Sequence, residues 1–98
     1  MFIKIIKSYR DTVAVCDSSI LGKKFEQGNF QLDIKESFYK GEEVPEEKAI
    51  EIMKDMSTED ATFNIVGQES VEAALKAGII SQESIGKING IPFALILL

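Results

Sequence analysis

The stretch that decides the fold runs from Asn64 to Ala94 and reads NIVGQESVEAALKAGIISQESIGKINGIPFA. Residues 63–66 form a short apolar run that is typical of a strand. Over residues 68–77, apolar side chains recur at helical spacing and acidic residues come early, which predicts a helix. Gly78 suits the left-handed position just past a helix. The stretch therefore predicts a strand followed directly by a helix that ends at Gly78.

A hairpin signal completes this stretch. Asn89 and Gly90 are the residues preferred in a type I′ turn, which requires a positive φ at both central positions. Apolar runs flank the turn on both sides. Residues 84–88 and 91–98 are therefore predicted to pair as antiparallel strands.

The preceding part of the chain supplies further strands and a second helix. Residues 2–8 and 12–16 are predicted to form a hairpin, and residues 30–34 alternate apolar and polar side chains as a half-buried strand does. Pro45 fits a first helical position, and the apolar spacing that follows it predicts a helix. We expect one domain over residues 1–98. Its expected fold is α+β: a two-layer sandwich of a mixed or mostly antiparallel sheet with two main helices.

The composition excludes several classes of function. The 98 residues carry a formal net charge of −5, which argues against tight non-specific binding to DNA because such binding scales with the phosphates neutralised. The longest apolar run, residues 91–98, is too short to span a bilayer. The amino-terminal residues lack the pattern of a secretory signal. We therefore expect a cytoplasmic protein that does not contact membranes.

The chain contains no histidine and one cysteine, which limits its chemistry. Cys16 ends a run of β-branched residues and is expected to be a buried small hydrophobic residue, since as a nucleophile it would need a base. Asp17, Ser18 and Ser19 offer oxygens that can cap a short helical turn over Ile20 and Leu21. The usual zinc ligands are thiolate and imidazole. No metal, cofactor or catalytic residue is therefore predicted.

Basic residues are unevenly distributed along the chain. Residues 1–30 carry five basic against three acidic side chains, whereas residues 31–60 carry four lysines against ten acidic side chains. Lys4 and Lys7 point to opposite faces of an extended strand. Basic side chains that leave turns are freer to point at a partner. The predicted partner-binding residues are Lys23, Lys24 and Arg10.

Two corners of the chain are weaker candidates for a site. One corner, Gly67–Glu69, joins the apolar strand to its helix, where free backbone amides can bind an anion. The other corner, Gly90–Phe93, follows the hairpin turn. A small enzyme with its site between these corners would draw on four polar side chains: Asn64, Glu69, Asn89 and Lys23.

Five motifs, taken in order, resemble those of an archaeal family of small uncharacterised proteins, the domain of unknown function 424. The matching segments are Val13–Asp17, Leu21–Phe25, Asn64–Gln68, Ala73–Gly78 and Gly90–Ala94. The resemblance covers nearly the whole chain. It implies a compact two-layer α/β sandwich and no established activity.

The chain departs from the pattern of that family at two positions. Gln68 stands where the family has an acidic residue, and Phe93 stands where it has a histidine. If that histidine were catalytic in other members, this chain would not share the chemistry.

Three classes of function remain open. The first is a non-enzymatic binding module for a protein or ribonucleoprotein partner, with a link to translation that rests on analogy alone. The second is the small enzyme with a site between the two corners. The third is a structural subunit whose carboxy-terminal strand, residues 91–98, pairs with a partner's sheet. The lack of histidine favours the binding module, and the sequence does not fix an oligomeric state.

Overall fold

The computed structural model describes residues 1–97 and builds them into a large sheet, a small hairpin and three α-helices. The strands are β1 (Phe2–Ile6), β2 (Thr12–Cys16), β3 (Lys24–Gln27), β4 (Phe30–Asp33), β5 (Glu42–Glu43), β6 (Thr62–Val66), β7 (Gly86–Ile88) and β8 (Ile91–Ile96). The helices are α1 (Glu36–Tyr39), α2 (Glu46–Thr58) and α3 (Gln68–Ala77). Short 3-10 turns lie at Ser18–Ile20 and Gln82–Ser84.

The large sheet has six strands in the order β5-β1-β2-β6-β8-β7. Its neighbouring strands run antiparallel, except that β2 and β6 run parallel. Parallel neighbours need a long crossover connection. Residues 17–61 provide it and hold β3, β4, β5, α1 and α2. The carboxyl ends of β2 and β6 therefore meet at one end of the sheet.

Side-chain alternation along the strands divides the sheet into two faces. α3 packs on β6 and β8, and α2 packs beside α3, so the two long helices cover one face. The main core lies beneath them and includes Val13, Val15, Phe63, Ile65 and Met53. The opposite face carries a smaller cluster of buried residues, Cys16, Ile34 and Val66. The β3–β4 hairpin and α1 pack on this smaller cluster through Phe25, Leu32 and Tyr39, and residues of β1, β8 and the Ser18–Ile20 turn also contribute.

The fold class predicted from the sequence is confirmed: the chain is a two-layer α+β sandwich with a mostly antiparallel sheet and two main helices. Gly78 has a φ of 75° and ends α3 as predicted. Asn89 and Gly90 both have positive φ, at 51° and 79°, as a type I′ turn requires. Cys16 is fully buried, as expected.

Several boundaries differ from the predictions. Residues 84–88 do not form one strand, because Gln82–Ser84 make a 3-10 turn and β7 begins at Gly86. β8 ends at Ile96, and Leu98 lies outside the described residues. Pro45 is the cap residue of α2 rather than its first helical residue, and the helix continues to Thr58. β3, α1 and β5 carry no clear signal in the sequence, because they are short and mostly exposed.

Candidate functional site

The most constrained polar group in the structure is the carboxylate of Asp17, which follows β2. It is buried at the end of the sheet and accepts three hydrogen bonds from the start of α3. One oxygen accepts from the amide of Glu69 at 3.0 Å. The other accepts from the amide of Ser70 at 2.8 Å and from the Ser70 hydroxyl at 2.7 Å. Asp17 thus caps a helix more than fifty positions away.

Gly67 makes this arrangement possible. The residue has a φ of 107°, a conformation that L side chains rarely adopt. A Cβ at this position would run into the Asp17 carboxylate. The close approach lets the amides of α3 reach Asp17, so Gly67 is required both for its backbone conformation and for its lack of a side chain.

This cap corrects two expectations. Asp17 does not cap the Ser18–Ile20 turn with its side chain, because its oxygens point to α3 instead. The free amides expected at the Gly67–Glu69 corner already bind an internal anion, and a bound ligand would have to displace a buried carboxylate. The corner therefore stabilises the fold, and the Glu69 side chain is left exposed beside it.

The two corners lie next to each other, as the enzyme hypothesis requires, but the candidate residues belong to separate elements of the fold. The Gly67 amide donates a hydrogen bond to the Pro92 carbonyl at 2.9 Å, which joins the corners directly. Asn89 lies in the β7–β8 turn, and its backbone N–H donates a hydrogen bond to the side-chain oxygen of Gln27. Asn64 lies in β6 opposite Leu95, on the face away from the helices.

The predicted cationic residues separate into two places. Lys23 and Lys24 lie beyond the carboxyl end of β2, at the start of the β3–β4 hairpin. Arg10 lies in the turn before β2, at the other end of the same strand. Five residues of strand span about 17 Å. One flat patch therefore does not contain all three residues, although each of them is exposed.

Arg10 lines an open groove of about 640 Å³ between the β1–β2 turn and the end of α2. The groove carries both signs of charge, since Glu59 and Asp60 face the basic side chains of the turn. Lys7 pairs with Asp11 at 3.1 Å within it, and this hydrogen bond lowers the pKa of Asp11. A mixed groove of this kind gives no strong preference for an anionic partner.

Cys16 lies in a setting that keeps its thiol neutral. Burial raises the pKa of Cys16 to about 11, and the neighbouring Asp17 charge acts in the same direction. Burial also raises the pKa of Tyr39, which packs in the same cluster, to about 12. Nucleophilic cysteines have lowered pKa values and are accessible. The surroundings of Cys16 are those of a structural residue.

The outer edge of β8 is open over its second half. β7 pairs with β8 only as far as Phe93, and the chain before Gly86 turns away. Successive residues of a strand direct their peptide groups to alternate edges. The Pro92 carbonyl points towards β6, so Leu95 and Leu97 direct their peptide groups outward. Within residues 1–97, no backbone hydrogen bond from another strand meets them.

The side chains beside this edge are apolar and accessible. Leu95 is 51% exposed and Leu97 is 72% exposed, both on the face away from the helices. Ile96, between them, packs against the helix-side core. We call residues 94–97 with their outward peptide groups the open edge. It combines unpaired backbone donors and acceptors with exposed leucines.

At the other end of the sheet, a short strand covers part of β1, and the uncovered remainder of β1 carries Lys4. This short strand, β5, has two residues, both glutamates, which pair with Phe2 and Ile3 of β1. Very short edge strands and charged side chains keep a sheet edge from pairing with another chain. The open edge lacks the second of these protections, since residues 88–97 carry no charged side chain. The two ends of the sheet therefore differ in their capacity to pair.

Among the residues that the structure describes, no helix is long and apolar enough to cross a membrane. Over the same residues, no group of three or more acidic or cysteine side chains is arranged to hold a metal ion.

These features define a small two-layer α+β protein with one charged and one open sheet edge. The chain belongs to the family described as a protein of unknown function (DUF424), whose model matches residues 7–98. Its structure is similar to the crystal structure of an uncharacterized conserved protein from Methanopyrus kandleri, with a TM-score of 0.88 and 22% sequence identity. That alignment covers 97% of this chain and 88% of the other. No curated protein sequence matches the chain.

The two departures from the family pattern have visible structural roles. Gln68 begins α3, and its side chain donates a hydrogen bond to Glu72 at 2.9 Å on the surface. Phe93 lies opposite Val66 in the ladder and packs in the cluster of Cys16 and Val66. Its ring also fills the space that a Cβ at Gly86 would need. In this chain Phe93 is a packing residue.

Proposed function

We propose that the protein is a non-enzymatic, protein-binding module that pairs with a partner strand along the open edge of β8. The observation that carries this proposal is the outward, unpaired backbone of Leu95 and Leu97 beside their exposed side chains. Binding by strand addition draws affinity from main-chain hydrogen bonds and specificity from alternate side chains. The open edge offers both.

The asymmetry of the sheet supports the proposal. Free edges are a liability for a soluble protein, because they template pairing with any other strand. Charged side chains, Glu42, Glu43 and Lys4, lie along one edge of the sheet, whereas beyond Lys87 of β7 the other edge carries no charge over residues 88–97. An edge left open in this way fits a surface that is covered by a partner.

A protein partner fits the charges better than a nucleic acid does. Lys23 and Lys24 are separated from Arg10 by the length of β2, so few phosphates could be neutralised together. The whole chain is also acidic, with a net charge of −5. The enzyme hypothesis draws no support from geometry, since Asn64 lies within β6, Glu69 lies in the first turn of α3 and Asn89 lies in the β7–β8 turn.

The proposal is tested by affinity capture from a lysate of the source cells with matched variants at one position. Leu97→Pro removes an outward backbone donor, whereas Leu97→Ala keeps that donor and removes most of the side chain. Phe30→Lys changes another exposed apolar residue, 71% exposed, on the separate β3–β4 hairpin. Circular dichroism and urea unfolding establish that each variant is folded.

We expect the parent and the Phe30→Lys variant to capture the same proteins, with or without ribonuclease. Leu97→Pro should lose them and Leu97→Ala should retain part of them. Capture that survives Leu97→Pro but fails after Lys23→Glu/Lys24→Glu or after ribonuclease would contradict the proposal and favour a ribonucleoprotein partner.

A further inference from the structure

We infer that the strand on the open edge comes from a second copy of this chain, whose β8 pairs antiparallel with β8 of the first about a twofold axis. The inference rests on the proposed function, because it uses the same edge and names its occupant. Twofold dimers with self-complementary interfaces are the commonest soluble oligomers. Antiparallel pairing of two open edges can match the outward backbone groups and the exposed leucines of one copy with those of the other.

Symmetry and β7 together fix the register. A twofold axis perpendicular to the sheet places the helix-covered faces of both copies on the same side. Residues that lie opposite each other across the axis must then direct their side chains to the same face, so their residue numbers are both odd or both even. An axis at Leu95 would place Leu97 of the partner subunit opposite Phe93, where Gly86 already lies. An axis at Ile96 keeps the partner's Leu97 two strand positions away from Gly86. It sets Leu95 opposite the partner's Leu97 and Ile96 opposite the partner's Ile96.

This register satisfies the outward backbone groups. Leu95 and Leu97 direct their peptide groups to the open edge, and in this register each faces an outward-directed residue of the other copy. Two hydrogen-bonded pairs result, each exchanging two N–H···O bonds. Ile96 directs its peptide group to Phe63 of β6, so its pair across the axis is a non-hydrogen-bonded one.

Side chains match across the same register. On the face away from the helices, Leu95 lies against Leu97 of the partner subunit, and the exposed leucines cover one another. On the helix side, Ile96 meets the partner's Ile96, which extends the main core of each copy towards the axis. No charged side chain enters the pairing, since residues 88–97 have none.

The charge distribution of the chain favours this edge for self-association. The acidic segment 31–60, with four lysines against ten acidic residues, supplies β5 and α2. β5 lies four strand spacings from β8, about 19 Å. This exceeds the screening length of about 8 Å at physiological salt. Two copies joined at β8 therefore keep the glutamates of β5 at the outer ends of the joined sheet.

The register is tested by oxidative cross-linking of single cysteine variants in a Cys16→Ala background. In Ile96→Cys the two thiols face each other across the axis, with Cα atoms about 4.5 Å apart in a non-hydrogen-bonded pair. In the control Leu95→Cys the two substituted positions are offset by two residues, about 8–9 Å apart. That distance is beyond the roughly 7 Å limit for a disulfide.

We expect diamide to link Ile96→Cys into covalent dimers and to leave Leu95→Cys mostly monomeric. The control is informative because Leu95 is more exposed than Ile96, so random collisions would favour the opposite result. Equal or greater cross-linking of Leu95→Cys would overturn the register.

Sedimentation equilibrium tests the association itself. We expect a reversible dimer for the parent and for Phe30→Lys. Leu97→Pro removes one donor from each copy, hence two hydrogen bonds, and should raise the dissociation constant roughly ten- to hundredfold. A parent that is monomeric at millimolar concentration would overturn the inference. If that monomer still captured a protein through residues 94–97, the proposed function would stand; if Leu97→Pro changed neither capture nor association, both would fail.

Discussion

The carboxylate of Asp17 accepts hydrogen bonds from both the amide and the hydroxyl of Ser70, at 2.8 Å and 2.7 Å, across 53 positions of sequence. The pair ties the end of β2 to the start of α3. Both residues are buried, so neither can exchange its partner for water without cost. The contact satisfies the free amides at the start of α3, beside the carboxyl ends of the parallel strands β2 and β6.

Asp17→Ala should lower the free energy of unfolding by about 2–4 kcal/mol, because it leaves the Ser70 hydroxyl and two helix amides without an acceptor. Asp55→Ala, on the exposed surface of α2, is the control and should change stability by less than about 0.5 kcal/mol. Urea unfolding measures both. Equal losses for the two variants would show that the Asp17 cap contributes little.

Gly67→Ala should cost about 2–4 kcal/mol, because the new Cβ meets the Asp17 carboxylate and the backbone has a φ of 107°. Gly78→Ala also places a side chain at positive φ but meets open space, so it should cost about 1 kcal/mol. The difference between the stability costs of Gly67→Ala and Gly78→Ala should shrink in an Asp17→Ala background, because the clash with the carboxylate is removed. A cost at Gly67 that does not depend on Asp17 would assign the whole effect to backbone strain.

We expect Cys16 to lower the free energy of unfolding at alkaline pH. The pKa of its thiol is raised from 9.0 to about 11 by burial, so the unfolded chain loses this proton at lower pH than the folded chain. The stabilisation is present below pH 9 and is lost as the pH rises to about 11, by up to about 2 kcal/mol. Cys16→Ala should flatten the fall in unfolding free energy over this range. An identical slope in parent and variant would contradict the assignment.

Labelling of Cys16 at pH 7.5 provides a second check. A buried neutral thiol reacts with a thiol reagent only when the protein opens. We expect labelling to track the urea transition. Rapid labelling in the absence of urea would show that the thiol is accessible.

Variants of Lys23 and Lys24 test the alternative that the partner is a nucleic acid. Two phosphate contacts from Lys23 and Lys24 would give a logarithmic salt slope of about 1.4 on a single strand. We expect the parent to show no such binding to single-stranded RNA at low salt. Salt-sensitive binding that is lost in Lys23→Glu/Lys24→Glu would make nucleic acid the better partner.

Local signals in the sequence predicted local structure well. Asn89 and Gly90 indicated the β7–β8 turn, and Gly78 indicated the end of α3, because few residue types adopt a positive φ. The Asp17–Ser70 contact joins residues that local patterns do not connect. β3 was missed because its side chains are largely polar and exposed, and β5 because two glutamates carry no strand signal.

The candidate site was predicted only in part. The apolar run 91–98 indicated a strand that pairs with a partner, but which part of it is free depends on where β7 ends. That boundary follows from the turn at Gln82–Ser84, which the strand pattern over residues 84–88 concealed. The grouping of Arg10 with Lys23 and Lys24 as partner-binding residues stays a prediction, and the structure places Arg10 at the opposite end of β2 from the two lysines.

The central claim is that the open edge of β8 is a binding edge, and residue-resolved hydrogen exchange of its amides tests this most directly. Leu95 and Leu97 direct their N–H groups outward, whereas Ala94 and Ile96 direct theirs to β6 and serve as internal controls. We predict that all four are protected in the associated protein. On dilution, or in Leu97→Pro, protection should be lost at Leu95 and retained at Ala94 and Ile96. Exchange of Leu95 and Leu97 at the rates of an unstructured peptide, both at high protein concentration and in the captured complex, would contradict the claim.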